Sequence, residues 1–131
     1  MYILHLEDDI YKQFHIQKAL EDAAFPDFKL EHVTNLHDGI DLIERQIKAG
    51  KMYDLIITDM WYPEKNNGTE TDSGNRLIEL VRDNKWNIPI VVCSSVYYDV
   101  PGILGTVHYA ENEDWEKNIV QIIRQSFYKS R

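Results

Sequence analysis

Five short apolar runs, each followed by a stretch with another periodicity, constrain this chain more than any other feature. The runs are Tyr2–Leu6, Phe28–Thr34, Tyr53–Thr58, Ile88–Ser94 and Thr106–Ala110. Between them Ile10, Phe14, Gln17, Leu20 and Ala24 recur at helical spacing, and so do Leu36, Ile40, Ile43 and Ile47. Leu77, Leu80 and Val81 form a third helical set, and Trp115, Ile119, Ile122 and Ile123 a fourth. Thr34 or Asn35 can cap the second helix, and Gly50 stands where that helix should stop. Strand-then-helix units in series fold as a parallel sheet with helices on both faces. The predicted class is therefore α/β, a doubly wound five-stranded parallel sheet, in one domain spanning residues 1–131.

The composition of the runs suggests their order. Tyr53–Thr58 and Ile88–Ser94 are almost continuously apolar, as strands covered on both faces must be. Phe28–Thr34 carries Lys29, Glu31 and His32, which suits an edge, and the short, mixed Thr106–Ala110 suits the other edge. Counting the runs along the chain, the order 2-1-3-4-5 is compatible with this pattern, although composition leaves other doubly wound orders open.

Charge and cysteine content narrow the function. The net charge of -8 opposes nucleic-acid binding, and the only basic cluster is a short tail, Arg124 and Lys129 to Arg131. Cys93 is the sole cysteine and lies in an apolar run, so a buried thiol is expected and an internal disulfide is impossible. Acidic residues appear by Glu7, too early for a signal peptide, and no apolar run is long enough to span a membrane. The expectation is a cytoplasmic protein with neither nucleic-acid nor membrane partners. The five histidines follow no metal-ligating spacing.

In a doubly wound sheet the ligand site lies beyond the carboxyl ends of the strands, where the strand order reverses. For the order above, that crevice falls between the first and third strands. Their ends carry Glu7-Asp8-Asp9 and Asp59. Carboxylates gathered there must share protons or bind a cation, and hard oxygen ligands suit Mg²⁺. Asp8 or Asp9 can instead cap the first helix. From Met60 to Ser73 the chain is polar and aperiodic, a long loop of the kind that is often functional.

These residues carry a family resemblance. Ile3-Leu4-His5-Leu6-Glu7-Asp8-Asp9 resembles the first strand and acidic pair of response regulator receiver domains from two-component signalling. Leu55-Ile56-Ile57-Thr58-Asp59, with Pro63 beyond it, is similar to their third strand, acceptor aspartate and following proline. Ile88 to Ser95 resembles their fourth strand, which ends in Ser or Thr, and Gly105 and Tyr109 fit the fifth. The resemblance spans the chain in order and implies a flavodoxin-like receiver fold. It implies Asp59 as phosphoacceptor, with Mg²⁺ held by Glu7, Asp8, Asp59 and the backbone carbonyl of Trp61. It also implies Ser94 as the hydroxyl that bonds a phosphoryl oxygen and Tyr109 as the switch aromatic.

Three features depart from the receiver pattern. The lysine expected three residues after the switch aromatic is replaced by Asn112, which reads as an N-cap with Glu113, Asp114 and Glu116 in the first turn of the last helix. The carboxylates then have no evident cation beside them, unless Lys65 reaches in from the long loop. Between Ser94 and Tyr109, Asp99, Pro101, Gly102 and Gly105 disfavour a regular fourth helix, so that helix should be remodelled. The reading is a stand-alone receiver in a phosphorelay. It takes a phosphoryl group from a histidine kinase or phosphotransfer protein and signals by contact with a downstream protein. Such a phosphoprotein is not an enzyme beyond its own phosphorylation and dephosphorylation. The alternatives are a pseudo-receiver that interacts without phosphate and a small Mg²⁺-dependent phosphatase-like enzyme.

Overall fold

A computed structural model describes residues 1–128. Its elements are β1 (Tyr2–Leu6), α1 (Ile10–Asp22), β2 (Lys29–Val33), α2 (Leu36–Lys48), β3 (Leu55–Thr58), β4 (Tyr62–Pro63) and β5 (Glu70–Thr71), then α3 (Ser73–Asp83), β6 (Ile90–Ser94), β7 (Gly105–His108) and α4 (Trp115–Phe127). Five strands form one parallel sheet in the order β2-β1-β3-β6-β7, which is the predicted order. The registers Leu6↔Val33 and Leu6↔Thr58 bring the carboxyl ends of the three strands around the switch point level with one another.

Alternation along the central strands divides the core into two layers. Leu4, Leu6, Ile56 and Val92 pack against Leu36 and Ile43 of α2 and Leu77 and Val81 of α3. Ile3, Ile57, Val91 and Cys93 pack against Ile16 and Leu20 of α1 and Ile119 and Ile123 of α4. Helix α2 begins and ends where its sequence says it should. The Asn35 side chain accepts from the Asp38 N–H at 2.9 Å, and Gly50 takes φ +72° just past the C-cap residue Ala49.

Four sequence expectations change. The apolar positions of α1 are phased differently from the predicted stripe: Ile10 and Phe14 are 69% and 61% exposed, whereas Lys12, Ile16, Ala19 and Leu20 face the sheet. Ala24 lies beyond the helix in a left-handed conformation. The long segment after Asp59 is not featureless: β4 and β5 form an antiparallel ribbon whose Tyr62 is fully buried. Asn112 is not the cap of the last helix. It sits in an exposed turn, Asp114 holds the cap position without a side-chain bond, and of the three acids only Glu116 reaches the first turn. As for the fourth helix, residues 95–104 contain none and run as bends and a turn, with Gly102 at φ +79° after Pro101. Residues Lys129 to Arg131 of the basic tail lie outside the described residues. No helix among the described residues is long and apolar enough to cross a membrane.

Candidate functional site

The end of β1 and the start of α1 sort three consecutive acids into separate tasks. Asp9 is the N-cap of α1, its carboxylate accepting from the N–H groups of Tyr11 at 3.0 Å and Lys12 at 3.3 Å. Glu7 turns inward, 1% exposed, with Oε2 accepting from the Asp9 N–H at 3.2 Å. Asp8 stands at the mouth, partly exposed. Asp59 follows β3 directly, its N–H donating to the Leu6 carbonyl at 3.1 Å, so the acceptor candidate is pinned beside β1. Its Oδ1 accepts from the Met60 N–H at 2.7 Å, while no backbone N–H reaches Oδ2. One oxygen from each of Glu7, Asp8 and Asp59 lies within 4.8 Å of the others.

The cation of this pocket comes from a place the sequence reading did not consider. Lys12, 5% exposed, sends its ammonium to Glu7 Oε1 at 2.7 Å and to Asp59 Oδ2 at 3.3 Å, and donates to the Cys93 carbonyl at 2.7 Å. Helical side chains lean toward the N-terminus of their helix, so a lysine in the first turn of α1 reaches back over the strand ends. The helix dipole disfavours a cation there, and Glu7 and Asp59 offset that cost. Burial by itself would lower the Lys12 pKa, but the two carboxylates outweigh it and raise it. Burial raises Glu7 to about 7, with Lys12 opposing the shift and Asp59 adding to it. Burial also pushes the Cys93 thiol up to about 12, which fits the expected inert, buried role.

The donor set fits a hard divalent cation. Three carboxylates face one ammonium, leaving up to two negative charges uncompensated. Glu7 Oε1 is buried and meets the Lys12 ammonium at 2.7 Å, which leaves a carboxylate oxygen with lone-pair capacity for a further cation. A fourth acid, Glu70 of β5, faces Asp8, and the interaction between their side chains raises the Glu70 pKa.

No family model and no curated protein matches the sequence. Solved structures do match. Response regulator RPA3017, in red light signaling of R. palustris, is similar over 99% of this chain and 96% of its own, with TM-score 0.73 and 14% identity. The Mn²⁺-bound form of response regulator Rcp1 shares 18% identity at TM-score 0.67, covering 99% of this chain and 96% of its own. The phosphorylated cyanobacterial phytochrome response regulator RcpA shares 21% identity at TM-score 0.66, covering 95% of this chain and 89% of its own. The chain has a response regulator receiver fold.

Within that receiver fold the remaining predicted residues take definite places. Ser94 ends β6, 3% exposed, and its Oγ accepts from the Val96 N–H at 3.3 Å, which leaves the hydroxyl proton free to donate. Tyr109 follows β7, its N–H donating to the Ser94 carbonyl at 2.7 Å. Its hydroxyl lies 2.8 Å from His15 Nδ1 on α1, and its ring packs 4.8 Å from that of Trp115. The Trp61 side chain is half-exposed and donates to the Tyr98 hydroxyl at 2.9 Å, tying the ribbon to the segment that replaces the fourth helix. Lys65 is exposed and lines a surface pocket with Leu36, His37 and Ile40 of α2. The expectation that the carboxylates lack a cation is thus overturned: Lys12 pairs with Glu7 and Asp59, while neither Lys65 nor Asn112 is ion-paired with the acids among the described residues.

Proposed function

We propose that this chain is a signalling receiver that accepts a phosphoryl group on Asp59 from the phosphohistidine of a histidine kinase or phosphotransfer protein. The carrying observation is Asp59 itself, held at the switch point with one oxygen bonded to backbone and the other turned to a cation-lined pocket. Glu7, Asp8, Asp59 and the Trp61 carbonyl would hold Mg²⁺, which when bound neutralises phosphoryl oxygens. Ser94 donates its hydroxyl to one phosphoryl oxygen. Asp59 supplies the attacking oxygen, and the buried Glu7 keeps the pocket anionic enough to hold a cation before the donor arrives. The protein passes its signal in the cytoplasm by contact with a downstream protein and catalyses only its own phosphorylation and dephosphorylation.

The test is incubation with acetyl phosphate or phosphoramidate and Mg²⁺, followed by intact mass. One added phosphoryl group that disappears in Asp59→Asn supports the reading. Absence of any adduct from either donor refutes it and leaves an interaction module that works without phosphate.

A further inference from the structure

We infer that Lys12, delivered from α1, is the catalytic cation that contacts the phosphoryl group on Asp59, the task for which Asn112, three residues after Tyr109, offers no ammonium. The inference rests on Asp59 being the acceptor. Its geometry is specific. The Lys12 ammonium stands 3.3 Å from Asp59 Oδ2, the oxygen that no backbone N–H reaches, so it touches the reacting atom. The Cys93 carbonyl, one residue before Ser94, holds the same ammonium at 2.7 Å on the side where a phosphoryl group must lie between Asp59 and Ser94.

In the step itself, Oδ2 attacks phosphorus and an O–P bond forms as the P–N bond to the donor imidazole breaks. The bond pair returns to the imidazole nitrogen, which takes a proton from solvent. Oδ2 then becomes the bridging oxygen of an acyl phosphate and loses its charge. The Lys12 ammonium turns from it to an adjoining phosphoryl oxygen, which carries the charge instead. Glu7 and the Cys93 carbonyl remain within its reach, so the lysine changes one partner rather than leaving its site.

The placement of Lys12 also links the phosphoryl site to the far side of α1. Its ammonium lies 5.5 Å from the centre of the Tyr109 ring, and the Tyr109 hydroxyl is bonded to His15 of the same helix. A shift of the ammonium toward phosphate changes the cation–π contact and with it the packing of Tyr109 on Trp115.

The experiment compares wild type, Lys12→Met, Lys12→Arg and Asp59→Asn with acetyl phosphate and Mg²⁺, reading initial rates by intact mass and the Trp115 region by fluorescence. Circular dichroism melts establish that each variant is folded at the assay temperature. The expected result is a rate about ten- to a hundredfold lower in Lys12→Met, partial recovery in Lys12→Arg, and a phosphorylation-linked fluorescence change only where the cation is present. Should Lys12→Met fail to fold, Lys12→Arg decides, because a shifted but charged group must alter the rate without lowering it to the Asp59→Asn background. Phosphorylation of folded Lys12→Met or Lys12→Arg at the wild-type rate overturns the role of Lys12 alone. No adduct on wild type overturns the acceptor reading, and this inference with it.

Discussion

Replacing Gly74 with alanine should disturb Asp59, the proposed acceptor, from behind, through packing and without touching any charged group. Gly74 is in the first turn of α3 and donates its N–H to the Met60 carbonyl at 3.0 Å. A Cβ there would collide with the Asp59 carbonyl oxygen and stand 2.6 Å from the Met60 Cα. Both are backbone atoms of the segment that carries the acceptor, so no side chain can swing away. Either α3 or the Asp59–Met60 backbone must move. Overpacking of this kind costs ~1–3 kcal/mol, and the better helix propensity of alanine returns at most about 1 kcal/mol.

The net loss for Gly74→Ala is therefore about 1–2 kcal/mol, which lowers the melting midpoint of a domain this size by ~3–10 °C. The control is Gly50→Ala, at a site where a Cβ meets nothing within 4 Å but the backbone sits at φ +72°. It should cost about 1 kcal/mol through backbone strain alone and leave the acceptor undisturbed. Differential scanning calorimetry, paired with acetyl phosphate labelling, separates the two. Gly74→Ala should lose both stability and labelling rate, and Gly50→Ala only stability. A Gly74→Ala protein that melts and labels like wild type would refute the claim that α3 packs on the acceptor backbone.

Three other outcomes are expected. Mg²⁺ at a hundredfold excess over its dissociation constant should stabilise the fold by about 2.7 kcal/mol, and Asp8→Ala should abolish the shift in thermal melts. Without divalent cation, stability should fall as pH rises from about 4.5 toward 7, because folded Glu7 keeps its proton up to about 7 whereas the unfolded chain gives it up near 4.5. The full effect is ~3 kcal/mol, and it should flatten in Glu7→Gln when urea midpoints are compared across that range. Asn112→Lys and Lys65→Ala should each label at the wild-type rate, since one residue sits in an exposed turn and the other against α2; a large change in either would reassign the cation.

The sheet was legible in the sequence because each strand is a run bounded by polar residues, and the edges betray themselves through Lys29, Glu31 and His32. The acids of the site were legible because they terminate strands, where alternation stops and side chains must face the crevice. Lys12 was not legible for a physical reason. A helix is read by assuming that its apolar residues point inward, and α1 violates that assumption by burying Lys12 while exposing Ile10, Tyr11 and Phe14. A signal was available: Ile16 and Leu20, at i+4 and i+8 from Lys12, define an inward face that includes the lysine and excludes Phe14. The ribbon after Asp59 was hidden by its short strands, each only two residues long.

The relocation of the cation follows from what lies on either side of the crevice. Beyond β7 the chain enters an exposed turn around Asn112 before α4 starts at Trp115, so a lysine there would have to give up a mobile side chain's freedom to reach inward. The first turn of α1 has no such difficulty. It is fixed by the Asp9 cap, one residue beyond Asp8 and two beyond Glu7, and its side chains already lean toward the strand ends. Burying Lys12 beside Glu7 makes the pair interdependent, although Asp59 and the Cys93 carbonyl would still hold the ammonium if Glu7 were removed. The same helix carries His15, which holds the Tyr109 hydroxyl. In this receiver fold the ammonium beside Asp59 and the imidazole bonded to the Tyr109 hydroxyl thus belong to one helix, so a displacement of α1 would move both.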